Sequence, residues 1–145
     1  MKYSTKLSDA VHIMAFIAIN QDFDLSSTAI AASIQTNPAF VRQIMMKLKQ
    51  AGLMSSVAGH AKPSLIKPAE QITLLDIYKA VEGDKPLLHL DTHTNPKCGV
   101  GVNIQLALQD YYQEIQKTAE ERMSQISLHD IIESYERKAG LSNGT

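Results

Sequence analysis

Arg42, Gln43 and Lys47 fall within an arc of about 140° of a helical repeat that turns about 100° per residue, with Gln43 and Lys47, four apart, nearly in line. Arginine and glutamine suit bidentate bonds to guanine and adenine edges, and lysine neutralises phosphate. The chemistry such a face could do is recognition rather than catalysis. A second group, His89, Asp91, His93 and Cys98, offers donors of another kind. In an extended segment the His-x-Asp-x-His spacing turns alternate side chains to one face, and borderline metals accept such ligands. In the plainer reading these histidines are solvated loop residues. Cys98 is also a redox candidate, since Lys97 and an approaching helix N-terminus would favour its thiolate. Sulfenic acid, a mixed disulfide or a bond between protomers would be its products. The competing reading is a small apolar residue packing the loop.

The elements that must position these residues follow from periodicity. Leu7, Val11, Met14, Ala15 and Ala18 form a helical stripe, predicting a helix from about Thr5 to Ile19. Leu25-Ser26-Ser27 offers an N-cap for a short helix over Thr28 to Ile34. Gln35-Thr36-Asn37-Pro38 breaks it, with Asn37 able to cap and Pro38 suited to a first helical turn. A third helix follows to Ala51, with Val41, Ile44, Met45 and Leu48 inward, and Gly52 ends it. Its outward side chains are Ala39, Arg42, Gln43, Met46 and Lys47. Two short helices joined by such a turn are the mark of a helix-turn-helix, whose second helix enters the major groove. The same spacing also suits an αα-hairpin in a helical bundle, with Arg42 and Lys47 merely solvated.

Two further features favour the DNA reading. Leu53 to Val57 and Ser64 to Lys67 read as short strands around a turn, a β-hairpin wing whose tip carries His60 and Lys62. The charge is also divided. Residues 1–67 hold seven bases against three acids, whereas residues 68–145 hold seven against twelve, which a net charge of −1 conceals. From Leu25 to Ala69 there is no Asp or Glu and there are five bases, as a phosphate-facing surface requires.

Thr73 caps a helix over Leu74 to Val81, closed by Gly83. Residues 84–101, with two prolines and two glycines, read as a loop. A long helix is expected from about Val102, its stripe running through Ile104, Leu108, Tyr111, Ile115 and Ala119 to Ile126. That exceeds what a small winged helix needs for its own core, so a second copy of the chain is the natural partner for the surplus face. Ser127-Leu128-His129-Asp130 reads as a capping box opening a last helix through Arg137, and residues 139–145 as a mobile tail.

Other classes find little support. No apolar run approaches the ~20 residues that span a bilayer. The start of the chain has no clean apolar stretch followed by a cleavage site, so no signal peptide is expected and the expected location is the cytoplasm. A single cysteine makes no intrachain disulfide and cannot alone hold zinc or an iron–sulfur cluster. Phosphate-binding glycine loops, Gly-x-Ser-x-Gly and His-Glu-x-x-His are all missing. Cys98 with His89 or His93 imitates a thiol–imidazole pair, but no oxyanion hole accompanies it. No enzyme is expected.

Several segments carry a resemblance covering almost the whole chain. They are Lys2-Tyr3-Ser4-Thr5-Lys6-Leu7, Ser27-Thr28-Ala29-Ile30-Ala31, Asn37-Pro38-Ala39-Phe40-Val41-Arg42 and Leu48-Lys49-Gln50-Ala51-Gly52-Leu53. The most specific is Ile72-Thr73-Leu74-Leu75-Asp76-Ile77-Tyr78-Lys79-Ala80-Val81-Glu82-Gly83. Together they resemble the Rrf-two family of bacterial winged-helix regulators, and within it the cluster-free YwnA-like branch. The resemblance implies a homodimer with crossed long helices, bound to a palindromic operator and usually repressing transcription. Iron–sulfur members place three cysteines around the start of the long helix, where Asn95-Pro96-Lys97-Cys98-Gly99-Val100-Gly101 has one, so no three-cysteine cluster is expected. The family's Gly-Gly-Tyr wing is replaced by Ala61-Lys62-Pro63-Ser64-Leu65, which leaves His60 or Lys62 in place of a wing arginine.

The expectation is a mainly α chain with a β-hairpin wing: a winged helix-turn-helix over residues 1–83, a sensor-type loop over 84–101 and a dimerisation region over 102–138. Arg42, Gln43 and Ala39 would read bases. Ser27, Thr36, Asn37, Lys47, His60 and Lys62 would complete the DNA contact, without a cofactor and with a redox or small-molecule effector. The rival expectations are a dimeric adaptor that binds protein, recruiting it through the acidic second half, and a metal- or ligand-responsive regulator.

Overall fold

The computed structural model describes residues 4–20, 24–56 and 62–141. Six α-helices and one short hairpin follow in the order α1 (Lys6–Ile19), α2 (Ser27–Ile34), α3 (Pro38–Gln50), β1 (Met54–Ser55), β2 (Ser64–Leu65), α4 (Leu74–Glu82), α5 (Gly99–Met123) and α6 (Leu128–Lys138). The core lies among α1 to α4 and the start of α6. Ile13, Met14 and Ile17 of α1 meet Ile30, Val41, Ile44, Leu48, Met54, Ile77 and Leu128, all essentially buried. Each such side chain contributes about 1.5–3 kcal/mol of burial, so this head is the stable unit of the chain.

Local chemistry sets the helix boundaries. Ser26 caps α2, its hydroxyl accepting the Ala29 N–H, and Asn37 caps α3 by accepting the Phe40 N–H at 2.7 Å. Pro38 follows at the first helical position, where no N–H is missed. The ends of α2 and α3 share one device. Thr36 N–H reaches Ala31 O and Gln35 N–H reaches Ala32 O, just as Leu53 N–H reaches Leu48 O and Gly52 N–H reaches Lys49 O. This paired bonding needs a left-handed residue, supplied by Gly52 at φ 75° without strain and by Gln35 at φ 61° at a cost of about 1–2 kcal/mol. Leu53 is thereby folded against Leu48, and the chain leaves α3 directly into the wing.

Among the described residues the wing is shorter than expected. Its pairing is antiparallel with Met54 opposite Leu65 and Ser55 opposite Ser64, two described residues a side where five and four are expected. The Leu53 N–H is taken up in closing α3 while its carbonyl accepts the Ile66 N–H at 3.2 Å, and Pro63 and Pro68, which have no N–H to donate, bracket the second strand. Val57 to Ala61, with the predicted tip residue His60, lie outside the described residues. A 3-10 turn over Ala69–Gln71, which the periodicity did not predict, then leads into α4.

Thr73 opens α4 with a full capping box, and Ser127 opens α6 with another, as its Ser-x-x-Asp spacing predicted. α5 starts three residues earlier than expected, at Gly99, because Cys98 serves as its N-cap with Sγ accepting the Gly101 N–H at 3.5 Å. Asn95 prepares that start: its side-chain oxygen accepts the Lys97 N–H and its carbonyl accepts the Cys98 N–H. Gly140 and Leu141, expected in a mobile tail, close the last turn of α6 through bonds to Arg137 O and Glu136 O. The rest of that tail lies outside the described residues. No described helix is long and apolar enough to cross a membrane.

Candidate nucleic-acid interface

The α2–turn–α3 unit presents one side of α3 to solvent. Val41, Ile44, Met45 and Leu48 anchor the helix in the core, while Ala39, Arg42, Gln43, Met46 and Lys47 are exposed. Arg42, Lys47 and Lys49 make no ion pair among the described residues, so their charges are uncommitted. Of the other residues proposed for DNA, Ser27 opens α2 half-buried, Thr36 sits half-buried in the turn, and Asn37 is exposed with its side-chain oxygen occupied by the cap. On the wing, Lys62 is exposed beside buried Pro63, and Ser55 and Ser64 hydroxyls meet at 3.2 Å.

One residue of this surface escaped the sequence reading. Asp24 accepts the Ser26 N–H at 2.9 Å, which sets a carboxylate at the N-terminal end of α2. A helix N-terminus attracts anions, so Asp24 satisfies that end itself and competes with a phosphate there. Its place two residues before the capping serine was the available signal.

The segment between α4 and α5 runs along α5. Leu87 N–H is accepted by Gln116 Oε1 at 2.8 Å and Asp91 N–H by Gln105 Oε1 at 3.1 Å. Beside Gln116 opens a groove of about 810 Å³, lined by Leu75, Pro86, Leu88, Leu90 and Tyr112 and by His89. Of the proposed metal donors, Asp91 and His93 meet at 3.6 Å, both exposed, and no group of three His, Cys, Asp or Glu forms among the described residues. Beneath the segment, Lys79 pairs with Glu120 at 3.0 Å. The Gln116 amide, and then Lys79, hold the Glu120 carboxyl below the ordinary carboxylate range, while the hydrogen bond that Lys79 donates to Glu120 raises Lys79. None of the 25 residues of α5 is buried, and Val100, Ile104, Tyr111 and Ile115 are exposed along one face.

Residues 3–134 match the sequence pattern of Rrf2 (Rrf-two), described as iron-dependent transcriptional regulators. The chain belongs to the Rrf2 family. It is 36% identical over 129 residues to YwnA of Bacillus subtilis, named for an HTH-type transcriptional regulator, across 89% of this chain and 96% of that protein. A crystal structure described as that of a DNA-binding protein superposes with a TM-score of 0.70 at 35% identity, covering 88% of this chain and 98% of the other. T. potens IscR shares the fold, with a TM-score of 0.69 at 23% identity over 99% of this chain and 94% of its own. These are regulators and not enzymes, and their fold is the mainly helical winged helix with a small hairpin expected from the sequence. The family description names iron. With one cysteine in the chain and no three-donor group among the described residues, the side chains present do not fit an iron–sulfur cluster.

Proposed function

We propose that this member of the Rrf2 family is a cytoplasmic homodimer that binds a two-fold-symmetric operator through α3 and the wing, represses transcription there, and works without an iron–sulfur cluster. The observation that carries the reading is the outward face of α3. Arg42, Gln43, Met46 and Lys47 stand together on a helix whose opposite face is locked in the core, within a stretch free of acids from Leu25 to Ala69. Arg42 and Gln43 take the base-reading role, and Ser27, Lys47 and Lys62 the phosphate-positioning role. The bare apolar face of α5 supports the dimer, because 25 helical residues with none buried require a cover and a two-fold partner supplies the same face in return.

For the effector, the geometry favours a thiol over a metal. Cys98 is exposed at the N-terminus of α5, at the junction between the 84–98 segment and the dimerisation helix, whereas among the described residues His89, Asp91 and His93 form no group of three donors. Oxidation of this thiol would add bulk and polarity at the cap of α5.

The test is selection of genomic fragments by the purified protein, reduced and oxidised, at stated salt. Enrichment of palindromic sites supports the reading, and their loss on oxidation in the wild type but not in Cys98→Ser supports the thiol. Equal enrichment in both states removes the thiol and keeps the regulator. No enriched site removes the DNA reading, and a stable protein complex in its place would favour an adaptor.

A further inference from the structure

At its middle, α5 meets the head through one amide and the Lys79–Glu120 pair beside it. Gln116, in the middle of α5, accepts the Leu87 N–H at 2.8 Å through Oε1. Its Nε2 donates to Tyr78 Oη at 3.0 Å and to Glu120 Oε2 at 2.8 Å. Tyr78 Oη then donates to the Lys85 carbonyl at 2.9 Å, and Glu120 takes Lys79 through its other oxygen. One side chain thus ties α4, the segment leaving α4 and α5 to each other. The orientation of the amide is fixed, since a flipped Nε2 would face the Leu87 N–H donor to donor. Hydrogen bonds of this kind are directional, and no residue of α5 is fully buried, so packing at this joint is limited to half-buried side chains such as Tyr112 and Ala119.

We propose that Gln116 is the positioning residue that holds the DNA-reading head at a set angle on α5 and so determines which half-site spacing the dimer accepts. This rests on the reading of the protein as an operator-binding dimer joined along α5. In such a dimer the separation of the two copies of α3 depends on the α5 contact and on the angle each head makes with its own α5. Adding one base pair moves a half-site by about 3.4 Å and turns it by roughly a tenth of a helical turn. A joint that holds its angle rejects that change, and a loosened joint tolerates it.

Loss of the Gln116 amide leaves the fold supported. Tyr78 Oη keeps Lys85 O as acceptor, Glu120 keeps Lys79, and Leu87 is exposed to water. The experiment uses the full chain and duplexes carrying the selected half-sites at spacings that differ by single base pairs. Wild type, Gln116→Leu and, as a second route to the same joint, Tyr78→Phe are titrated at constant salt, with dimer mass and Tm followed in parallel. Wild type is expected to lose about tenfold in affinity one base pair from its optimum, a change each variant reduces to about threefold or less. A uniform loss at every spacing, or an unchanged profile in both variants, overturns the inference while leaving the DNA reading intact. A wild type that binds no duplex overturns both, and one that binds single half-sites with no spacing preference overturns the dimer with the inference.

Discussion

Thr73 and Ser127 face each other as an antiparallel bridge, and each is also the cap of the helix that follows it. Leu74 N–H bonds Ile126 O at 2.8 Å and Leu128 N–H bonds Ile72 O at 2.7 Å, so α4 and α6 start from one shared point. Ile72 and Leu128, both fully buried, lie just to either side. Through this bridge the far end of α5 is returned to the head.

Removing one cap tests this junction. Ser127→Ala is expected to lower stability by about 1 kcal/mol, as loss of an N-cap hydroxyl does. Thermal denaturation at fixed protein concentration measures it, and a change within error would show that the bridge holds α6 without the cap.

The same cap has a pH signature. The Ser127 backbone N–H, and then its hydroxyl, hold the Asp130 carboxyl below the ordinary aspartate value of 3.8. A lowered folded value means the contribution is complete above the unfolded value and is lost as pH falls through the folded one. Asp130→Asn should therefore differ least from wild type in the most acidic solutions and most from about pH 5 upward. A difference that grows toward acid would contradict the assignment.

Asp24 should weaken DNA binding. Its carboxylate stands at the end of α2 that a phosphate would approach, so Asp24→Asn is expected to raise operator affinity about two- to fivefold at low salt, with the gain shrinking as salt is added. Unchanged affinity at all salt concentrations would place phosphate away from that helix end.

The α5 face makes its own prediction. Tyr111→Glu puts a charge in the middle of the exposed stripe, and an unpaired charge in an apolar interface costs several kcal/mol. Light scattering should give the mass of a single chain with the head still folded by circular dichroism. A dimer of undiminished stability would mean that the copies meet elsewhere.

How far these features were legible in the sequence depends on their range. Helix caps are local, so Asn37, Thr73 and Ser127 could be read from residue type and three-residue spacing, and the inward face of α3 from its period. Periodicity places the start of α5 three residues late because Gly99 and Gly101 are poor helix formers, while the bonds made by Asn95 and Cys98 outweigh that preference. β propensity overstates the wing because it cannot reveal that the Leu53 N–H is already bonded to Leu48, which leaves Leu53 only its carbonyl for the Ile66 N–H. Gln116 gave no signal. A polar residue on a long polar helix reads as solvent-facing until the fold brings Tyr78 and Leu87 to it from 38 and 29 positions away.

The most direct measurement is titration of the selected operator, with every base position varied, by wild type, Arg42→Ala and Lys47→Ala over a range of salt. Arg42→Ala should lose about 1–3 kcal/mol and relax the preference at one position in each half-site, as removal of a base-reading arginine does. Lys47→Ala should weaken all sequences alike and reduce the salt slope by about one for each phosphate left without its lysine. Two variants that bind with the affinity, sequence profile and salt slope of wild type would contradict the assignment of α3 as the reading helix.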